Sequence, residues 1–309
     1  MNEQKAALID NNKCIRCGAC VYQCPFGAIS DKSFIVDVIE IIKKSKREAG
    51  GKVYAMVAPS IASQFKYAKH GQVITGLRKL GFDKVIEAAL GADLVALAES
   101  RELAEKGFLT SSCCPAFVTY INSAFPNLKE FVSHNPSPMA LLGKVIKERD
   151  PEAKVIFVGP CTAKKGEAQR EEVKPYVDAV ITFEELQALF DSRDIDITLL
   201  EESGLDDASY YGRIFARSGG LSEAVVQALD EQNIDFEVKP VICDGIEACR
   251  MALLKKNKNI LEGNFIEGMA CIGGCIGGAG CLTHGEKNKT EVDKYGKEAA
   301  EKKISDAVK

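Results

Sequence analysis

An α/β fold is predicted for this 309-residue chain by three observations. Short apolar runs of strand length alternate with helix-period segments from about residue 52 onward. Cysteine-bearing loops follow two of those runs directly, and βα loops carry the chemistry of parallel sheets. The composition, 46% hydrophobic and 27% charged, is that of a globular protein with one large domain, or a medium one with a small appendage.

Taken in order, residues 1 to about 32 are loop-rich and built round four cysteines. A helix follows over 34–47, with Ile35, Val38, Ile39, Ile41 and Ile42 as its apolar stripe. The Gly50-Gly51 pair ends it and marks a domain boundary. Residues 52–58 read as a buried strand and 71–80 as a helix. Residues 85–90 and 94–97 read as strands. The stretches 154–158 and 178–183 repeat the short apolar pattern of parallel strands between helical segments. In TSSCCPAF a helix opens at Pro115, and GPCTAKK follows the strand KVIFV. The last segment, 286–309, is so rich in charge that it reads as a solvated tail or a helix lying on the surface. There are no internal repeats.

Several classes are disfavoured at once. A net charge of −4 argues against nucleic acid as a partner. No apolar run approaches the eighteen or so residues that span a bilayer. The opening MNEQKAALIDNNKC lacks the basic-then-apolar layout of a secretory signal, so the expected location is the cytoplasm. Twelve cysteines suit a disulfide framework only in a short secreted chain, and the adjacent Cys113-Cys114 is awkward for two bridges.

Metal chemistry accounts for nine of the twelve. Cys14, Cys17, Cys20 and Cys24 form a C-x2-C-x2-C-x3-C-P run, the spacing with which bacterial ferredoxins hold iron–sulfur clusters. Thiolates are soft, anionic ligands suited to iron, and the tight spacing wraps one cube. A zinc site would show two separated C-x2-C pairs. In two-cluster ferredoxins the fourth cysteine serves the other cluster. With a single run here, either Cys24 closes a 4Fe–4S cube locally or a distant cysteine does; local closure is the economical expectation.

The other five, Cys113 and Cys114 in TSSCCPAF, Cys161 in GPCTAKKGE, and Cys271 and Cys275 in MACIGGCIGG, lie in three loops. These loops, in this order, resemble the signature loops of the iron-only (di-iron) hydrogenases, from about residue 52 to 282. The resemblance implies two lobes clasping an H-cluster, with a short ferredoxin-like module in front as electron relay. The implied divisions are 1–48 for that module, 49–285 for the catalytic domain and 286–309 for the charged tail or helix. An H-cluster is a 4Fe–4S cube joined through a cysteine sulfur to a di-iron unit bearing CO, CN and azadithiolate ligands. By resemblance, Cys114, Cys161, Cys271 and Cys275 hold the cube, Cys275 bridges to the di-iron unit, and Cys113 shuttles protons.

The resemblance also implies that Lys164 donates to a cyanide, that Ala58-Pro59-Ser60 packs against the dithiolate and that Met269 supplies a thioether. Glu167 orients this region. Glu99 and Glu102 in AESREL, with Ser133, resemble the relay that brings protons to Cys113. Alone, Lys164 would be read as a surface charge and each relay group as a surface or capping residue. Partial burial would raise a carboxyl towards neutrality and suit it to proton transfer.

Two positions depart from the pattern: Gly159 stands where catalytic relatives commonly have methionine, and Met139 replaces a glutamine. Cys243, Cys249 and Cys281 read as packed thiols, and His70, His134 and His284 are too scattered to form a metal site. The implied activity is reversible reduction of protons to hydrogen in a monomer. Its partners would be a soluble ferredoxin or similar carrier, and maturation proteins that load the di-iron unit. A low-turnover hydrogen or redox sensor, and an iron–sulfur protein without the di-iron unit, are the alternatives.

Overall fold

A computed structural model describes residues 8–47 and 51–309. The expected domain boundary at 48–50 lies outside them. Seven strands fall into two parallel sheets. In chain order they are β1 (Val53–Val57), β2 (Lys84–Glu87), β3 (Leu109–Thr110), β4 (Lys154–Gly159), β5 (Ala179–Thr182), β6 (Pro240–Asp244) and β7 (Phe265–Met269). One sheet has the order β2-β1-β4-β5 and the other β3-β7-β6. Each anchors its own hydrophobic core. Met56, Ile74, Leu77, Ile156, Ile181 and Phe190 belong to the first. Leu103, Leu109, Leu221 and Phe265 pack on one face of the second sheet, and Phe117, Ile121 and Leu253 on the other.

The strands are continuous apolar runs because both faces are covered: every residue of β1, β5 and β7 is buried, as parallel sheets require. Burying one such side chain contributes on the order of 2 kcal/mol. The helix expected over 34–47 is Ile35–Arg47 and buries Val38 and Ile42. Asp37 sits in its first turn and Lys44, Lys46 and Arg47 in its last, complementing the helix dipole. Strands 52–58, 154–158 and 178–183 and helix 71–80 also form, within a residue or two of the expected ends.

Two expectations fail. The strand over 85–90 stops at Glu87, and 94–97 is no strand: both run into the 19-residue helix Ala88–Lys106. That helix packs against both Pro138–Arg149 and Gly220–Glu231, so apolar residues surround it and no amphipathic stripe survives. Of the two readings of 286–309, the helix forms, and it is packed in rather than laid on the surface. Helix Lys287–Lys297 buries Asn288, Val292, Tyr295 and Gly296. The Tyr295 hydroxyl donates to Glu87. Arg213 grips the same carboxylate with Nε at 2.9 Å and Nη2 at 3.0 Å, and its guanidinium stacks 4.3 Å from the Tyr295 ring.

The N-terminal module has one helical turn, Ala19–Tyr22. It docks on the short helix Thr162–Glu167 that follows β4. Thr162 Oγ1 donates to the Arg16 carbonyl (3.1 Å), Lys165 Nζ to the Lys32 carbonyl (3.0 Å), and Lys165 pairs with Asp31 at 2.6 Å. Gly18, at φ +75°, fits against Ala279 and Thr162, where a β-carbon would lie 2.5 Å from each.

Candidate active site

The carboxyl ends of β3, β4 and β7 deliver the clustered cysteines, the place where open parallel sheets put their chemistry. Cys114 is the residue before helix Pro115–Ala124, whose first position is a proline. Cys161 stands likewise before Thr162–Glu167. Cys271 follows β7, and Cys275 opens a 3-10 turn. Gly273 and Gly274, at φ +83° and +84°, let the loop between them double back.

These thiols crowd one another. Burial raises Cys161 to about 11, with Cys114 adding to the shift. Cys271 and Cys275 are pushed up by burial and then by Cys161 and Cys114. Four half-buried thiols that repel each other's charge form a donor set suited to a cation. Among the described residues, no three metal-binding side chains close on a single ion. A cube suits this set better, since its corners hold sulfurs farther apart than the ligands of one ion. Cys17 also acts on Cys271, so the N-terminal cysteine run approaches the second set from its Cys17 side.

Within that run, the Arg16 amide donates to Cys14 Sγ at 3.4 Å and the Ala28 amide to Cys24 Sγ at 3.3 Å. The amides of Phe26 and Ala28, with those of Ile29 and Gly27, pull the Cys24 thiol below its ordinary value. Backbone donors aimed at sulfur favour the thiolate that binds iron.

Cys113 is more deeply buried than Cys114, Cys161, Cys271 and Cys275. It is buried, and burial raises its thiol well above the usual range, followed by the charges of Glu99, Cys114 and Cys275. Lys164 Nζ donates to the Cys113 carbonyl at 3.3 Å and to Glu167 Oε2 at 2.7 Å. Burial opposes the lysine's charge, but Glu167 outweighs it and leaves the pKa above the ordinary value. Ala58, Pro59 and Ser60 follow β1, which pairs with β4, and so lie beside Gly159–Cys161. Ser60 is fully buried with its hydroxyl unpartnered. Met269 ends β7, buried. Met139 is buried under the first sheet.

Glu99 is fully buried and neither carboxylate oxygen has a hydrogen-bond partner. Burial raises its pKa to about 8, despite the nearby Ser133 hydroxyl and Ser112 amide. That shift favours the protonated, neutral acid. Ser133 Oγ donates to Glu102 Oε2 at 2.9 Å. Glu102 also accepts from Asn135 Nδ2 (2.8 Å), Lys106 Nζ (2.7 Å) and the His134 amide (3.1 Å). Burial pushes its carboxyl up, yet Lys106, the His134 amide and Ser133 together hold it below the ordinary value.

Glu102, Ser133, Glu99 and Cys113 thus run inward from the surface. The sequence reading missed Asn135, Lys106 and His134 around Glu102. The Glu102–Lys106 pair, spaced i, i+4, was readable; Asn135 left no signal.

Cys243, Cys249 and Cys281 are buried, and each thiol donates to a backbone carbonyl: Val241 at 3.7 Å, Met269 at 3.5 Å and Ile276 at 3.5 Å respectively. The histidines are dispersed: His70 is pushed down to about 4 by burial, His284 stacks on Tyr22, and His134 lies at the mouth of the acidic row. No described helix is long and apolar enough to cross a membrane.

Residues 51–279 match the family described as iron only hydrogenase large subunit, C-terminal domain, and residues 7–30 match the 4Fe-4S binding domain. Iron hydrogenase 1 of Clostridium pasteurianum is 30% identical over 94% of this chain and 67% of its own length. The NADP-reducing hydrogenase subunit HndD of Solidesulfovibrio fructosivorans is 28% identical, over 88% of this chain and 56% of its own length. The cytosolic Fe-S cluster assembly factor NAR1 of Kluyveromyces lactis is 28% identical over half of this chain and 36% of its own length. A solved FeFe-hydrogenase superposes with a TM-score of 0.73 at 21% identity, covering 89% of this chain and 92% of that one. The two sheets, the cysteine loops at their carboxyl ends and the match over 51–279 place this chain in the iron-only hydrogenase family.

Proposed function

We propose that the chain interconverts protons and molecular hydrogen, with Cys113 as the group that exchanges protons with the reacting centre. The observation that carries this reading is the inward row from Glu102 through Ser133 and Glu99 to a buried thiol adjacent in sequence to Cys114. A protein that only held a cube would need no second cysteine there and no neutral buried acid behind it.

The donor set and the orphaned oxygens of Glu99 and Ser60 fit an H-cluster. Cys114, Cys161, Cys271 and Cys275 would hold its cube, with Cys275 shared with the di-iron unit. When bound, that group supplies the redox chemistry joining two protons and two electrons. The chain's own residues do the rest. Glu99 carries a proton without carrying charge, because its site is too dry for the carboxylate. Ser133 accepts and donates at one oxygen, so it can hand a proton between Glu102 and Glu99. Cys113 holds its proton tightly until a stronger acceptor faces it. Lys164, fixed by Glu167, adds a permanent positive charge at the same wall, where an anionic ligand would be held. Ala58, Pro59, Ser60 and Met269 wall the site.

Electrons would enter from a soluble ferredoxin or similar carrier at a 4Fe–4S cluster on Cys14, Cys17, Cys20 and Cys24. The electrostatic influence of Cys17 on Cys271 supports that direction. Residues 1–48 would form the relay module and 49–285 the catalytic domain, with 286–309 packed onto it. We place the protein in the cytoplasm as a monomer loaded by maturation proteins.

Similarity to NAR1 favours a second reading, an iron–sulfur protein without the di-iron unit. Anaerobic loading with a synthetic di-iron complex separates the two. Carbonyl and cyanide infrared bands, with hydrogen evolution from reduced methyl viologen that collapses in Cys113→Ala, support the enzyme. Bands without evolution point to a sensor. Absence of the bands sinks the enzyme reading.

A further inference from the structure

The acidic row ends at the surface on an imidazole. His134 has a side chain 77% exposed, and its Nδ1 lies 2.8 Å from Glu102 Oε1 and 2.9 Å from Lys106 Nζ. These two groups, both on helix Ala88–Lys106, are the charges that meet it. Ser133 and Asn135 flank it on its own loop and bind Glu102 from the other side.

One ring nitrogen therefore faces an acceptor and a donor at once. With a proton on Nδ1, the ring donates to Glu102. Without it, Nδ1 accepts from Lys106. Each protonation state finds a partner for Nδ1, and when Nδ1 carries the proton Lys106 keeps Glu102 Oε1, 2.7 Å away, as its acceptor.

We propose that His134 is the proton-exchange residue of the entrance, an inference that rests on the proton-route reading above. A solvent proton binds Nε2 of the Nδ1–H ring and the Nδ1 proton passes to Glu102 Oε1; the emptied Nδ1 is held by Lys106 until Nε2 releases its proton to solvent and Nδ1 regains one, which restores the starting form. In the reverse direction Glu102 returns its proton to Nδ1 and the ring releases it to solvent. His134 acts through Glu102 and touches no reacting atom, so it is a positioning and relay residue.

The test needs no turnover. In the chain carrying its iron–sulfur clusters but no di-iron unit, the infrared S–H stretch of Cys113, identified by its loss in Cys113→Ala, is followed on transfer to D2O. The buried Cys243 and Cys249 thiols, off the route, serve as internal references. In the wild type Cys113 exchanges faster than they do. In both His134→Gln and His134→Ala its exchange slows by roughly tenfold, the references stay unchanged, and free imidazole restores the rate in His134→Ala. Unchanged Cys113 exchange in both variants overturns the role of His134 and leaves the route standing. Wild-type exchange no faster than the references overturns the route, and His134 with it.

Discussion

The ring of Phe157 occupies the space into which Gly159 would extend a side chain. A β-carbon on Gly159 would lie 2.5 Å from Phe157 Cε1 and 3.1 Å from Ala58 Cβ. The glycine at this position is thus matched by an aromatic ring two residues earlier in β4. Overfilling a close-packed wall costs about 1–3 kcal/mol. Gly159→Met is expected to lose that much in urea unfolding of the cluster-loaded chain. Adding Phe157→Ala should recover most of it, because the volume is then exchanged rather than added.

Lys164 and Glu167 are both almost fully buried, so each depends on the other's charge. Glu167→Gln leaves an ammonium without its carboxylate and should destabilise by about 3–5 kcal/mol. Lys164→Met combined with Glu167→Gln should cost far less, since no charge is then left stranded. A double-mutant cycle from denaturant midpoints reads the difference.

The buried acid predicts a pH signature. The folded pKa of Glu99 is raised from 4.5 to about 8, so between these values the folded chain binds the extra proton. Stability contributed by this group is full below 4.5 and falls as pH rises, by up to about 1.4 kcal/mol per unit, levelling above 8. Asp93, raised by burial to about 7, acts in the same direction, so the comparison must be with Glu99→Gln. Relative to that variant, wild-type stability should decline from pH 5 to pH 8; a constant difference would show that Glu99 titrates normally.

Gly18 should govern how the N-terminal module sits. An alanine there is strained at φ +75° and would overlap Ala279 and Thr162. Losing about 1–2 kcal/mol of docking raises the open population by a factor of about 5–30. Limited proteolysis within residues 8–33 should accelerate accordingly in Gly18→Ala, while the iron content of the intact chain stays the same.

Most of what positions the metal chemistry was legible in the sequence. Strands β1, β4 and β5 announce themselves as unbroken apolar runs, and the cysteine loops follow strands as expected. Leu94 to Leu97 misled because the helix Ala88–Lys106 is buried on several sides; an apolar run inside it carries no 3.6-residue stripe to separate it from a strand. The buried face of the C-terminal helix hid for the opposite reason. Asn288, Val292, Tyr295 and Gly296 share one face, but the lysines and glutamates between them dominate the composition. The relay row was read only through family resemblance. Nothing local says that Glu99 loses all its partners, or that Ser133 reaches Glu102 across 31 positions. His134 and Phe157 acquire meaning only from neighbours the fold supplies.

Cys161 comes from the first sheet, whereas Cys114, Cys271 and Cys275 come from the second. A cube seated on all four would fasten two separately cored halves across their seam. Iron would then act as a rivet: with it the halves melt together, and without it each melts on its own terms. Withholding iron from such a chain would remove a catalyst and a mechanical joint in the same act.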